Sequence, residues 1–291
     1  MTRVVRDPDE MRDVVATAKR NRFSVGFVPT MGALHEGHRS LMRASWREND
    51  RTVVSIYVNP LQFAPQEDFE RYPRNLERDV ESCAAEKVDV VFAPAVARMR
   101  PPGHSTSVAV AGLSHDFEGA QRPGHFDGVA TIVAALFCLV QPDRAYLGQK
   151  DFQQAVVIRR MVRDLQMPVR VVVCPIVRDP DGLALSSRNV YLSAEDRTEG
   201  LRLPRALEKA ERAVLGGEAD GDLLRTMLRD AMRSSRRDVT VDYADVVHPE
   251  TLVSLGKIDG HAVLLACLRV GAVRLLDNRV VAPAGTPAWE A

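Results

Sequence analysis

The sequence predicts an α/β parallel-sheet domain followed by a smaller C-terminal α+β domain. Two observations carry this. Over the first 176 residues, apolar β-branched runs alternate with helix-length segments, the pattern of successive βαβ units. The runs are nearly continuous in hydrophobicity, which suits strands covered by helices on both faces. After residue 177 the order changes to helices first and strands afterwards, so a domain boundary is expected at 176–182.

Taken in order, the strand candidates of the first domain are 25–29 (VGFVP), 52–58 (TVVSIYV), 88–92 (VDVVF), the short 145–147, and 169–177 (VRVVVCPIV), the strongest of the set. Segments at about 37–49, 75–86, 127–140 and 151–165 read as the helices between them. In the second domain, 193–215 reads as one helix rich in Arg, Glu, Leu and Ala, with Ser193 and Asp196 at capping-box spacing. The Gly-rich stretch 216–221 breaks it. A further helix is expected from 222 to about 234, then strands at 240–247, 262–269 and 272–276, and a frayed tail.

Composition bounds the function. The chain has 291 residues, of which 45% are hydrophobic and 27% charged, an ordinary globular balance compatible with two domains. Thirty-nine basic residues offset thirty-nine acidic ones, which argues against a general nucleic-acid or membrane binder but leaves room for a local anion pocket. Cys83, Cys138, Cys174 and Cys267 form no CxxC pair, so buried reduced thiols are expected rather than a zinc site or disulfide frame. The first residues are charged and lack an apolar h-region, and no apolar run reaches the ~20 residues of a membrane span, so a cytoplasmic location is expected.

Five segments carry candidate chemistry. In 27–38 (FVPTMGALHEGH) a strand ends, a Gly-containing turn follows and a helix begins. Free N–H groups and the helix dipole at such a place bind phosphate. His35 and His38, three apart, share one side of the first turn and fit donors to a polyphosphate, two surface or capping histidines being the alternative. HExxH is absent and no third ligand stands nearby, which disfavours zinc. The segment 57–63 (YVNPLQF) closes a strand, where open α/β sheets bind ligands; Gln62 suits a neutral or zwitterionic substrate, and an ordinary turn fits as well. The Gly-rich 118–128 offers Arg122 and His125 to an anion, or is a plain loop. In 148–154 (GQKDFQQ), Lys150 is one of only five lysines against thirty-four arginines. Its ammonium suits a phosphate oxygen, a solvated lysine being the alternative, and Asp151 with Gln154 has capping spacing. The segment 177–189 places Ser186, Ser187 and Arg188 together, a donor cluster apt for oxyanions or a polar loop. Walker, GxGxxG and GxSxG signatures are absent.

Together, PTMGALHEGH (29–38), YVNPLQF (57–63), RPGHFDGV (122–129), QPDRAYLGQKDFQQ (141–154) and LSSRN (185–189) resemble the pantothenate synthetase (pantoate–β-alanine ligase) family, over a span from about Phe27 to Asn278. HxGH alone also fits nucleotidyltransferases and class I aminoacyl-tRNA synthetases; the other four blocks separate the chain from both. The resemblance implies a Rossmann-like nucleotide-binding domain over 1–176 and an α+β lid domain over 177–291. It implies that pantoate is adenylated by ATP and that β-alanine displaces AMP. ATP contacts are implied for Met31, Gly32, Ala33, Leu34, His35, Glu36, Gly37 and His38, for Gly148, Gln149, Lys150 and Asp151, and for Val177, Leu185, Ser186, Ser187 and Arg188. His38, His35 and Lys150 are the implied catalytic residues. Gln62 and Gln154 would hold pantoate, and Gln62 also β-alanine. Mg²⁺ carried with ATP and a homodimer are implied as well; no metal ligand is assigned, Asp79 being a bare candidate.

The chain departs from the family pattern at Leu185 (often Met), at Ala135 and Cys138 (often Lys and Asn) and at Phe117 (usually Leu). The Leu185 exchange keeps volume. Two rival readings stand beside the ligase: an adenylyltransferase of the same HxGH superfamily, and a non-catalytic nucleotide-binding relative.

Overall fold

Six strands build the first half of the chain: β1 (Arg3–Val5), β2 (Val25–Thr30), β3 (Arg51–Ile56), β4 (Val90–Phe92), β5 (Arg144–Gly148) and β6 (Arg170–Cys174). The computed structural model describes residues 2–64, 69–287 and 289. The strands lie in the order β1-β4-β3-β2-β5-β6, with every pair parallel. Between them run α1 (Pro8–Arg20), α2 (Glu36–Glu48), α3 (Leu76–Ala85), α4 (Val96–Met99), α5 (Glu118–Gln121), α6 (His125–Val140) and α7 (Phe152–Asp164). Val28, Val54, Val91 and Tyr146 from four neighbouring strands are buried with Leu41 and Met42 of α2 and Cys83 of α3.

The order of this sheet creates a switch point. From β2 the chain proceeds outward through β3 and β4, then returns to place β5 on the other side of β2. Loops leaving the carboxyl ends of β2 and β5 therefore diverge, which is where such sheets hold ligands. The block PTMGALHEGH spans the end of β2, the loop after it and the start of α2.

The second half contains α8 (Ala194–Gly200), α9 (Arg202–Leu215) and α10 (Gly221–Met232), followed by the antiparallel sheet β7 (Val239–Val247), β8 (Ala262–Val270) and β9 (Val273–Val281). Leu203, Leu207 and Ala210 of α9 and Leu224 and Leu228 of α10 form its core with Leu264, Ala266 and Leu268 of β8. By contact density the chain divides into Met1–Gly148 with Gln153–Cys174, and Gln149–Phe152 with Pro175–Ala291.

Several sequence expectations need correction. The single helix over 193–215 is two helices meeting at Leu201. Pro204 lacks the N–H that would bond the Gly200 carbonyl, and its ring crowds that carbonyl, so the helix restarts. The strand over 169–177 stops at Cys174, before Pro175. The strand expected at 272–276 runs on to Val281, through the polar Asp277-Asn278-Arg279. Cys138 is exposed, while the other three thiols are buried, and all four are free. β1 and α1 were not anticipated, although α1 carries plain signals: Asp7 caps it by accepting the Asp9 amide at 2.8 Å, Pro8 opens it, and Lys19 and Arg20 close it. No helix among the described residues is long and apolar enough to cross a membrane.

Candidate active site

The loop after β2 is held from below. The Thr30 hydroxyl donates to the Ser55 carbonyl at 2.6 Å and accepts the Gly32 amide at 3.2 Å. Gly32 (φ +86°) and Ala33 (φ +50°) then turn through two successive left-handed conformations. The turn aims the amides of Ala33 and Leu34 at the carboxylate of Asp79, at 3.0 and 2.9 Å. Gly32 is required twice over: its φ disfavours a side chain, and a Cβ there would lie 2.8 Å from Asp79 Oδ2. Asp79, on the first turn of α3, is 4% exposed. Burial pushes its pKa above the ordinary carboxylate value, against the pull of the two amides. Each Asp79 oxygen thus accepts one amide of the turn, which gives this residue, a bare metal candidate in the sequence, a turn-shaping role.

α2 starts immediately after this turn. His35 is its N-cap, and Nδ1 of His35 accepts the Gly37 amide at 3.1 Å. Nδ1 of His38 in turn accepts the His35 amide at 3.3 Å. The rings lie 4.1 Å apart between centroids. The pair is thus a reciprocal capping box built from imidazoles. A neutral imidazole that accepts at Nδ1 carries its proton on Nε2, so each ring presents Nε2 as a donor. Capping and phosphate-donor roles, which compete in the sequence, are compatible in one geometry. The Glu36 carboxylate pairs along α2 with Arg39 and Arg43.

Gln62 closes a one-turn 3₁₀ helix (Pro60–Gln62) beyond β3. Its Nε2 donates to the Met31 sulfur at 2.9 Å, which joins it to the loop after β2. Its Oε1 accepts from Asn59 Nδ2 at 3.2 Å. The Gln62 carbonyl receives Arg122 Nη2 at 3.0 Å and contacts His125 Nδ1 at 2.8 Å. The Gly-rich 118–128 segment therefore anchors the Gln62 turn. Asn59, 1% exposed, ties the same turn to the Gly128 carbonyl at 3.0 Å. On α7, Gln153 is buried and accepts the Glu118 amide while donating to the Leu113 and Asp116 carbonyls. The next residue, Gln154, is half-buried and its side-chain amide has no hydrogen-bond partner among the described residues.

In the second unit, Gln149–Asp151 form a 3₁₀ turn that follows Gly148 at the end of β5. The Lys150 ammonium lies 3.3 Å from Asp151 Oδ1. A hairpin brings Val177 opposite Leu185, whose amide donates to the Val177 carbonyl at 3.0 Å. It leads into Ser186, which caps the 3₁₀ turn Ser187–Tyr191 by accepting the Arg188 amide at 3.3 Å. Lys150, Ser186 and Asn189 line one small cavity. Asn189 Oδ1 is buried with no partner among the described residues. The residues expected around phosphate thus fall in two groups, one in each unit.

Sequence reasoning missed Asp79, Asn59, Thr30 and Gln153 as organisers. Asn59 stood inside a block singled out for Gln62. Asp79 had no local signal, because its partners lie some 45 residues away in sequence.

These features define an α/β enzyme with a histidine-capped helix N-terminus at the switch point of a parallel sheet. The chain belongs to the pantoate–β-alanine ligase family: the family model described as pantoate-beta-alanine ligase matches residues 3–280. A pantothenate synthetase of Acetivibrio thermocellus is 47% identical over 279 residues, covering 96% of this chain and 99% of the relative. One from Acidobacterium capsulatum is 54% identical over 255 residues, covering 88% and 85%. The crystal structure of pantothenate synthetase from Thermus thermophilus superposes with a TM-score of 0.91 at 48% identity, over 97% of this chain and 100% of that one. Pantoate–β-alanine ligase from Francisella tularensis, solved with βγ-ATP and β-alanine, gives 0.78 at 30% identity, over 96% and 98%.

Proposed function

We propose that this chain condenses pantoate with β-alanine in two steps. A pantoate carboxylate oxygen attacks the α-phosphorus of ATP, the bond to the β-phosphate breaks, and pyrophosphate leaves. The β-alanine amine then attacks the acyl carbon of pantoyl adenylate, loses a proton, and releases AMP and pantothenate. The observation that carries this reading is the imidazole capping box at the start of α2, beside the sheet's switch point, in which both rings accept at Nδ1 and keep Nε2 as the donor nitrogen. Adenylation needs charge neutralisation and alignment rather than a covalent nucleophile.

In this reading Met31, Gly32, Ala33, Leu34, Glu36 and Gly37 form the ATP-binding turn and helix start. His38, with His35, stabilises charge on the reacting phosphorus and leaving group. Lys150 and Ser186–Arg188 neutralise phosphate oxygens, and Gly148, Gln149, Asp151, Val177 and Leu185 frame the nucleotide. Gln62 and Gln154 hold pantoate, and Gln62 receives β-alanine. Mg²⁺ arrives with the nucleotide; no group of three metal-ligating side chains occurs among the described residues. Family membership supports a homodimer, which light scattering tests, and four free thiols fit a reducing cytoplasm.

The test is AMP and pyrophosphate release from ATP and Mg²⁺ with pantoate, with and without β-alanine. AMP that requires β-alanine is the expected result. A stable adenylylated product that ignores β-alanine would point to an adenylyltransferase. ATP binding without AMP would point to a non-catalytic relative.

A further inference from the structure

β9 carries two adjacent polar residues, Asp277 and Asn278, each only 1% exposed. Neighbouring residues on a strand face opposite sides of the sheet, so the two reach different partners. Asn278 Nδ2 donates to the Gln149 carbonyl at 2.9 Å and to the Lys150 carbonyl at 3.1 Å, and its Oδ1 accepts Gln149 Nε2 at 3.0 Å. Asp277 holds Arg178 through two parallel bonds of 2.6 and 2.8 Å. The Arg178 guanidinium also donates to the Gly182 carbonyl at 3.0 Å. Arg178 sits in the 177–185 hairpin, bridged to Ala184, directly before Ser186. Burial disfavours the charged Arg178, yet the pair with Asp277 outweighs it and raises the arginine's pKa.

We propose that Asp277 and Asn278 are positioning residues for catalysis, Asn278 clamping the backbone that presents Lys150 and Asp277 clamping the hairpin that presents Ser186–Arg188. The proposal rests on the phosphate-binding roles given above to Lys150 and Ser186–Arg188. A buried ion pair is a poor device for stability alone, since apolar residues of similar volume often serve as well or better. Here Asn278 is spent on the Gln149 and Lys150 carbonyls, and Asp277 on the arginine that holds the Gly182 carbonyl, in the two segments that carry the cationic and hydroxyl donors. Misplacing a reacting group by about 1 Å costs up to ~10²-fold in rate, so a fixed backbone under Lys150 has direct kinetic value.

The test uses the full chain with Asn278→Ala and, because truncation of a buried residue can impair folding, the isosteric Asn278→Asp, which keeps shape but removes both N–H donors. AMP formation should slow by about 10-fold or more in a protein that still unfolds cooperatively, while the KM for β-alanine stays within about twofold. Since Asn278 acts through Lys150, adding Asn278→Ala to Lys150→Ala should cause little further loss. Losses that multiply in the double variant, or an unchanged rate in both single variants, would overturn the proposal. Hydrogen exchange without ligand gives an independent reading. Asn278→Ala should exchange faster at 149–151 with the core of β8 unchanged, and equal exchange there would overturn the clamp. If the unaltered chain makes no AMP at all, the ligase reading fails, and the clamp is judged by exchange alone.

Discussion

The Asp79 carboxylate accepts the Leu34 backbone amide at 2.9 Å, joining the first turn of α3 to the loop that starts α2. With the Ala33 amide at 3.0 Å on the other oxygen, one side chain satisfies both donors of a turn that runs through two left-handed residues. Asp79→Asn replaces one acceptor with an NH₂ that opposes an N–H. Leaving a buried donor unsatisfied costs about 1–3 kcal/mol. The urea midpoint should fall by a corresponding amount. AMP formation should fall further than the folded fraction does, because the turn sets the start of α2. Full activity per folded molecule would remove Asp79 from the placement of this loop.

His38 has two separable tasks. As the N3 partner in the capping box it is worth about 1 kcal/mol of stability. As a preorganised donor to developing charge it is worth ~10²-fold or more in rate, which is nearly 3 kcal/mol on the barrier. His38→Ala should therefore lower the unfolding midpoint modestly and the adenylation rate severely. Single-turnover AMP formation on material shown to be folded separates the two. A rate loss no larger than the loss of folded protein would leave His38 as a cap alone.

How much of this was legible before the structure depended on sequence distance. The parallel sheet announced itself through Val-rich runs, and the HxGH block through its strand-turn-helix setting. Residues that act within their own block were at least in view: Ser186 stood in a segment singled out for oxyanion donors, although its capping of the turn that carries Arg188 was not read. Residues that act across the chain were not. Asp79 in α3 reads as an ordinary first-turn acid. Asp277-Asn278 even hid the second half of β9, because buried polar residues with remote partners break the apolar pattern by which strands are recognised. The break at Leu201 was legible from Pro204 and was missed because the Leu/Ala/Arg pattern continues across it.

Gln62 offers a contrast between losing a side chain and losing the turn that carries it. Gln62→Ala should raise the pantoate and β-alanine concentrations needed for half-maximal rate and leave the ATP requirement within about twofold. The turn itself survives, since Arg122 and His125 grip the Gln62 carbonyl. Gly128→Ala should keep the Gln62 side chain but displace the turn. A Cβ at residue 128 would lie 2.2 Å from the Leu61 carbonyl oxygen and 2.8 Å from the Gln62 amide nitrogen, both backbone atoms. Overpacking of this kind costs about 1–3 kcal/mol or more, and the displaced turn should carry Gln62 with it. Substrate titrations on both variants, with unfolding curves alongside, check the pair. If Gln62→Ala weakened ATP use alone, the substrate assignment would be wrong.

Acid should weaken the second unit through Asp242. This carboxylate, on β7, accepts Arg274 Nε at 2.6 Å and Arg269 Nη2 at 2.9 Å, with the Cys267 sulfur 3.8 Å away. Burial alone would raise its pKa, but hydrogen bonds from Arg274 and Arg269, with their charges, more than offset this and hold it below the ordinary value. A lowered folded pKa means the unfolded chain binds the proton more readily. The stabilisation is therefore complete above the unfolded value of about 3.9 and is lost as pH falls through the folded one. Other depressed carboxylates, Asp143 and Asp181 among them, respond in the same direction, so acid sensitivity of the whole chain cannot identify Asp242. The difference between the unaltered chain and Asp242→Asn can. The variant leaves Arg274 without its carboxylate and should be less stable at neutral pH. The gap between the two should narrow between about pH 5 and pH 2 as the native Asp242 takes up its proton. Urea titrations across that range measure the gap directly, and a gap that stayed constant with pH would show that Asp242 keeps no charge-dependent hold on the sheet.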